Sequence, residues 1–145
     1  MYVGPDIVTD GLVFAVDAGS ERSYAGSGTT AYNLVANNDV SLINGLGWQS
    51  GNGGYFSSDG TDDGMTTPDA TNLDLVDFTL EGWVWWDQHK NYGSFLVKGP
   101  GGSGNLFNYS FFGYETTVSF GFGDGSNYRA IYISTPAINE WHHIV

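Results

Sequence analysis

Nine consecutive residues, Phe78-Thr79-Leu80-Glu81-Gly82-Trp83-Val84-Trp85-Trp86, leave the chain little choice of local structure. With a period of two, Phe78, Leu80, Gly82, Val84 and Trp86 share one face of a strand, while Thr79, Glu81, Trp83 and Trp85 share the other. Trp85 and Trp86 are adjacent and must point to opposite faces. Both rings cannot lie in one core, so at least one needs a covering loop, a partner or a ligand.

The rest of the sequence supports the same class of structure. No window keeps a 3.6-residue apolar stripe for three turns. The 22 glycines, against only four Lys and Arg, disfavour helices, because each helical Gly costs about 1 kcal/mol. Five Trp, nine Tyr and nine Phe suit pleated faces. Strands are expected at Leu12–Asp17, Tyr32–Leu34, Val40–Ile43, Tyr55–Ser58, Phe78–Trp86, Ser94–Lys98, Leu106–Gly113, Val118–Gly123, Tyr128–Ser134 and Trp141–Val145. Asp124-Gly125 marks a hairpin turn, since that pair tolerates the positive φ of primed turns. Gly99 to Gly104 reads as a mobile surface loop. So many short strands predict an all-β, two-sheet antiparallel sandwich. A length of 145 residues predicts one domain over 1–145.

The formal charge of −12 opposes nucleic acid, which needs clustered Lys and Arg, and it opposes anionic membrane surfaces. It suits oxygen ligands for Ca²⁺, neutral sugars or a basic partner. There is no cysteine, hence no sign of a disulfide framework. Met1 to Asp6 shows neither a basic n-region nor an apolar h-region, and no apolar run approaches the 18 residues of a membrane span. A bacterial secreted protein would normally carry an export signal. A phage virion protein needs none, because it assembles in the host cytoplasm.

Four segments together resemble the laminin G-like, concanavalin A-like jelly-roll family, in the form found in bacteriophage virion structural proteins. The first runs from Ile7-Val8-Thr9-Asp10-Gly11-Leu12-Val13-Phe14-Ala15-Val16-Asp17-Ala18-Gly19 to Ser23-Tyr24 and Gly26-Ser27-Gly28-Thr29-Thr30. The second is Leu42-Ile43-Asn44-Gly45, continuing to Gly53-Gly54-Tyr55-Phe56 and Asp59-Gly60-Thr61-Asp62-Asp63. The third is Phe78-Thr79-Leu80-Glu81-Gly82-Trp83-Val84, and the fourth Trp141-His142-His143-Ile144-Val145. Tyr32-Asn33-Leu34 stands where relatives often carry Trp and Asp. The resemblance implies two stacked antiparallel sheets, with several more strands normally following the Trp-His-His-Ile-Val strand. The sequence stops inside that strand, so the expectation is that the chain continues past 145 or that another chain completes the sheet.

Three groups of side chains are candidate sites. Glu81, Trp83, Trp85 and Asp87 set aromatic faces beside carboxylates, which suits stacking on sugar rings and hydrogen bonding to their hydroxyls. The plainer reading packs Trp83 and Trp85 under a loop or inside the sandwich. Asp59, Asp62 and Asp63 offer carboxylates for Ca²⁺, without the spacing of an EF-hand loop. The plainer reading there is a turn that uses Asp and Gly for their backbone geometry. Trp141, His143 and Val145 are expected to form an open edge for a partner. His142 and His143 face opposite ways and cannot readily chelate one metal, and His89 stands alone.

Some jelly rolls of this family are glucanases, and hydrolysis needs two carboxyls ~5–9.5 Å apart. Those enzymes resemble Glu-x-Asp-x-x-Glu along one strand. The glutamates here, Glu21, Glu81, Glu115 and Glu140, do not form that pattern. The expectation is therefore a non-enzymatic structural or decoration protein on the surface of a phage particle, capsid or tail. It would pack against other virion proteins or copies of itself and touch host surface glycans. The alternative is an extracellular carbohydrate-binding adhesin or lectin module that depends on calcium.

Overall fold

The computed structural model describes residues 9–35, 37–99 and 107–145. Ile7, Val8 and most of the expected Gly99–Gly104 loop lie outside the described residues, as does Leu106 at the start of an expected strand. The chain is all-β and every strand pairing is antiparallel, as expected of a β-sandwich. The described strands form four sheets, and they group into two compact units, residues 1–73 and 74–145.

In residues 1–73, β1 (Thr30–Ala31), β2 (Val40–Ile43) and β5 (Gly64–Thr66) make a sheet in the order β1-β2-β5. A separate hairpin pairs β3 (Gly47–Gln49) with β4 (Tyr55–Ser57). Alternation along β2 buries Val40 and Leu42 and exposes Ser41 and Ile43. Tyr24, Ala31, Val40 and Leu42 form the core, with Phe14, Val16, Leu46, Trp48 and Phe56 packed against it.

Leu12–Asp17, expected as a strand, joins no ladder. Side chains hold it, together with one backbone bond from Leu34 N to Ala15 O at 2.9 Å. Asn33 Oδ1 accepts from Ala15 N at 3.0 Å and from Val35 N at 3.2 Å, while its Nδ2 donates to Asn37 O at 2.9 Å. The buried Ser23 hydroxyl accepts from Asp17 N at 3.1 Å and donates to Tyr32 O at 2.7 Å. These bonds satisfy backbone groups that a sheet would otherwise pair. They also explain why Tyr32–Leu34 is not a strand, since its backbone and Asn33 serve as bridges.

In residues 74–145, β7 (Gly93–Lys98), β8 (Tyr109–Gly113), β9 (Thr117–Gly123) and β10 (Tyr128–Ser134) form a meander in the order β10-β9-β8-β7. A two-stranded ribbon pairs β6 (Gly82–Trp85) with β11 (Trp141–Ile144). The expected Phe78–Trp86 strand is thus shorter. One layer packs on the other through Val84, Trp86 and Ile144 of the ribbon segment and Leu96, Phe111, Val118 and Phe120 of the sheet. Rings run through this core, with Trp86 edge-on to Phe95 at 4.9 Å and Phe111 stacked on Phe120 at 4.3 Å.

The β9–β10 turn spans Asp124 to Asn127, two residues longer than a primed Asp-Gly turn, and Gly125 supplies a φ of 87°. Asp124 Oδ1 accepts from Ser126 N at 2.9 Å and Asn127 N at 2.7 Å. Those bonds to the ionised form, the one from Asn127 first, hold its carboxyl below the ordinary 3.8. A depressed carboxyl stabilises the fold above its unfolded pKa, and the contribution fades as pH falls through the folded value. Asp124→Asn keeps an acceptor but not the titration. Urea unfolding from pH ~6 to pH ~2 should therefore show a shallower acid loss of stability in D124N than in the parent. Parallel pH profiles would contradict this role.

Candidate functional site

The β6–β11 ribbon has an apolar inner face and an aromatic outer one, and its register creates both. Trp141 lies opposite Trp85, His142 opposite Val84, His143 opposite Trp83 and Ile144 opposite Gly82. Alternation then sends Val84, His142 and Ile144 inward and Trp83, Trp85, Trp141 and His143 outward. The outward rings pair across the strands. Trp83 stacks on His143 at 5.0 Å and 30°, and Trp85 meets Trp141 edge-on at 5.8 Å and 66°. Such cross-strand pairs are each worth about 0.2–1 kcal/mol.

Trp83 is 68% exposed and Trp85 42%, whereas Trp86 is 7% exposed. The two environments that adjacent Trp85 and Trp86 demanded are therefore the outer face and the core. The reading that packs Trp83 and Trp85 away does not hold. The carboxylates stand at both ends of the aromatic row. Glu81 Oε2 lies 3.7 Å from His143 Nε2, an ion pair when the imidazole is protonated, and Asp87 Oδ1 accepts from Trp85 Nε1 at 2.9 Å. The bond to Asp87 orients the Trp85 ring. The result is an aromatic strip with carboxylates at its ends, suited to stacking against a flat, weakly polar ligand.

Sequence reasoning placed Glu81, Trp83, Trp85 and Asp87 together, and the structure places them on one face. Trp141, His143 and Val145 are the residues expected at a partner edge. Trp141 and His143 also complete the same strip, while Val145 follows β11 and is 68% exposed. Among the described residues, each ribbon strand pairs on one side only. The signal that joins the groups is the same period-two spacing of rings, Trp83/Trp85 and Trp141/His143, on two strands.

His142 and His89 face elsewhere. Both rings lie near Trp86, at 5.9 and 5.7 Å, and their Nε2 atoms bond Ala137 O and Pro136 O at 2.9 and 2.8 Å. These two histidines tie down the segment leading into β11.

Asp59, Asp62 and Asp63 do converge, with one carboxylate oxygen of each within 4.8 Å of the others. Two of the carboxylates close the loop itself. Asp63 Oδ2 accepts from Asp59 N at 2.9 Å and Asp59 Oδ1 from Thr61 N at 2.7 Å. Asn44 Nδ2 donates to Asp62 O at 2.8 Å, which ties the loop to the end of β2. Calcium takes about 6–8 oxygens, and the roles of the Asp59 and Asp63 carboxylates are those of a turn.

Truncating the exposed ring should cost little fold stability. Trp83→Ala is expected to lower unfolding free energy by no more than ~1 kcal/mol, against about 3–5 kcal/mol for Trp86→Ala. Chemical denaturation of both variants checks this, and equal losses would place Trp83 in the core.

A family model described as the concanavalin A-like lectin/glucanases superfamily, of laminin G type, matches residues 59–145. No curated protein and no solved structure matches the chain. The match covers the ribbon, the meander and the Asp59–Asp63 loop, and leaves the earlier segments outside it. With more than half its length matched, and with an all-β antiparallel fold, the chain belongs to the concanavalin A-like lectin/glucanases superfamily.

Proposed function

We propose that this chain is a non-enzymatic binding module that holds a neutral glycan on the outer face of the β6–β11 ribbon. The observation that carries the reading is the row Trp83, Trp85, Trp141 and His143, exposed at all but the half-buried Trp141, with the Trp85 ring held by Asp87. Sugar rings present C–H faces to aromatic planes, and their hydroxyls donate to carboxylates. An excess of negative charge repels acidic polymers and leaves neutral ones. Family membership fits a carbohydrate-binding or structural module.

A second reading, a structural or decoration role on the capsid or tail of a phage particle, draws on another surface. Phe122, Ile131 and Ile133 are 51%, 66% and 45% exposed, and alternation places them on the same sheet face as the buried Val118. An apolar strip continuous with the core suits packing against a neighbouring subunit or a second copy. The two roles are compatible, since a particle-surface domain can also touch host glycans.

Calorimetry with neutral oligosaccharides tests the first reading. Trp83→Ala or Trp85→Ala should weaken binding roughly tenfold, the equivalent of about 1.4 kcal/mol, and no reducing ends should be released from a glucan. Unchanged affinity in both variants would overturn the glycan site, and turnover would overturn the non-enzymatic role. Locating the chain in a density map of a native particle tests the second reading. Its absence from every particle surface would count against that role.

A further inference from the structure

A cleft of about 230 Å³ is built from residues 18–53, none of which falls in the matched family segment. Its walls are Ala18, Gly19, Glu21, Tyr24, Trp48 and Ser50, with small residues between them. Glycines bring those walls together. A side chain at Gly19 would run into Gly53 O, and one at Gly54 into Ala18 O. Gly26, at φ +83°, sits against the six-membered ring of Trp48. Trp48 Nε1 donates to Ala18 O at 2.9 Å and fastens the ring to the opposite wall. The cleft is therefore set by backbone contacts and needs no ligand to shape it.

The donors of this lining are mostly consumed. Trp48 Nε1 is bound to Ala18 O, Tyr24 Oη donates to Gly28 O at 2.9 Å, Tyr24 N to Ser20 O at 2.7 Å, and Gly19 N to Asp17 Oδ1 at 2.8 Å. What remains toward the space is aromatic carbon, the Ser50 hydroxyl and the exposed Glu21 carboxylate. No ion pair engages Glu21 among the described residues, and neighbouring Arg22 makes none with it.

That chemistry separates ligand classes. An anion meets a carboxylate and the field of a chain at −12. A neutral sugar asks for several donors as well as acceptors, and of the lining side chains the Trp48 and Tyr24 donors are taken, which leaves Ser50. A cation on an apolar stem meets the Glu21 carboxylate, the half-buried Trp48 ring and a favourable field. Pockets for drug-sized ligands run to about 300–1,000 Å³, so 230 Å³ suits one small head group. We infer that this cleft binds an alkylammonium group, as carried by a lysine side chain or a choline head group.

The test is amide and indole NMR of the full chain, titrated separately with Nα-acetyl-lysine methylamide, choline and the neutral Nε-acetyl form of the lysine probe. Saturable shifts at millimolar concentration are expected for the Trp48 indole N–H and the amides of Gly19, Gly26 and Gly53. The Trp83 and Trp85 indoles should stay still, which separates this site from the glycan strip. Glu21→Gln should retain the dispersed spectrum and weaken binding roughly fivefold, a change of about 1 kcal/mol. Whichever cation binds more tightly identifies the source of the ammonium group. No saturable shift with either cation, an equal response to the neutral probe, or an unchanged affinity in E21Q would overturn the inference.

Discussion

The register of β6 against β11 is the constraint on which the rest of residues 74–145 depends. Side chains on a strand alternate, so a slip of one residue would exchange every inward and outward group. In the observed register Ile144 and Val84 reach the aromatic core under the four-stranded sheet, and Trp83 and His143 meet outside it. Burial of Trp86 beside them locks the choice, because a shifted ribbon would bring an indole or a charged Glu81 to the wrong face. One hydrophobic requirement thus sets both the stability of this unit and the display of its outer aromatic face.

Residues 1–73 are held by a different means. Their core is separate, and its leading segment is joined largely by Asn33 and Ser23 side chains rather than by a ladder. This difference decided what could be read from the sequence. Val40–Ile43 and Tyr128–Ser134 match their expected bounds because β-branched and aromatic residues alternate there. Leu12–Asp17 shows the same alternation, and Phe14 and Val16 do pack inward, yet its backbone groups find side-chain partners. Nothing in local alternation distinguishes the two outcomes. The short β3 and β5, both opening on glycine, show no alternation of their own: β3 is three residues of a hairpin with β4, and β5 pairs with β2 some way back in the chain.

The candidate site was legible on one strand and not across two. Period-two spacing puts Glu81, Trp83 and Trp85 on a common face, with Asp87 next in line, and the structure keeps them there. The pairing that adds Trp141 and His143 links positions far apart in sequence, and no local rule predicts which residue meets which. The Asp59–Asp63 cluster was visible from composition, but its hydrogen bonds show the carboxylates committed to the loop. The Trp48 cleft left no sequence signal, because glycine contacts between separate turns create it.

The proposed contact surface is the outer face of the β6–β11 ribbon. Intermolecular nuclear Overhauser effects between the isotope-labelled chain and a bound neutral oligosaccharide test that proposal. Contacts are expected from sugar ring protons to the Trp83 and Trp85 indoles and to the His143 imidazole. Contacts confined to Phe122, Ile131 or other residues of the four-stranded sheet, with none at the ribbon, would contradict it.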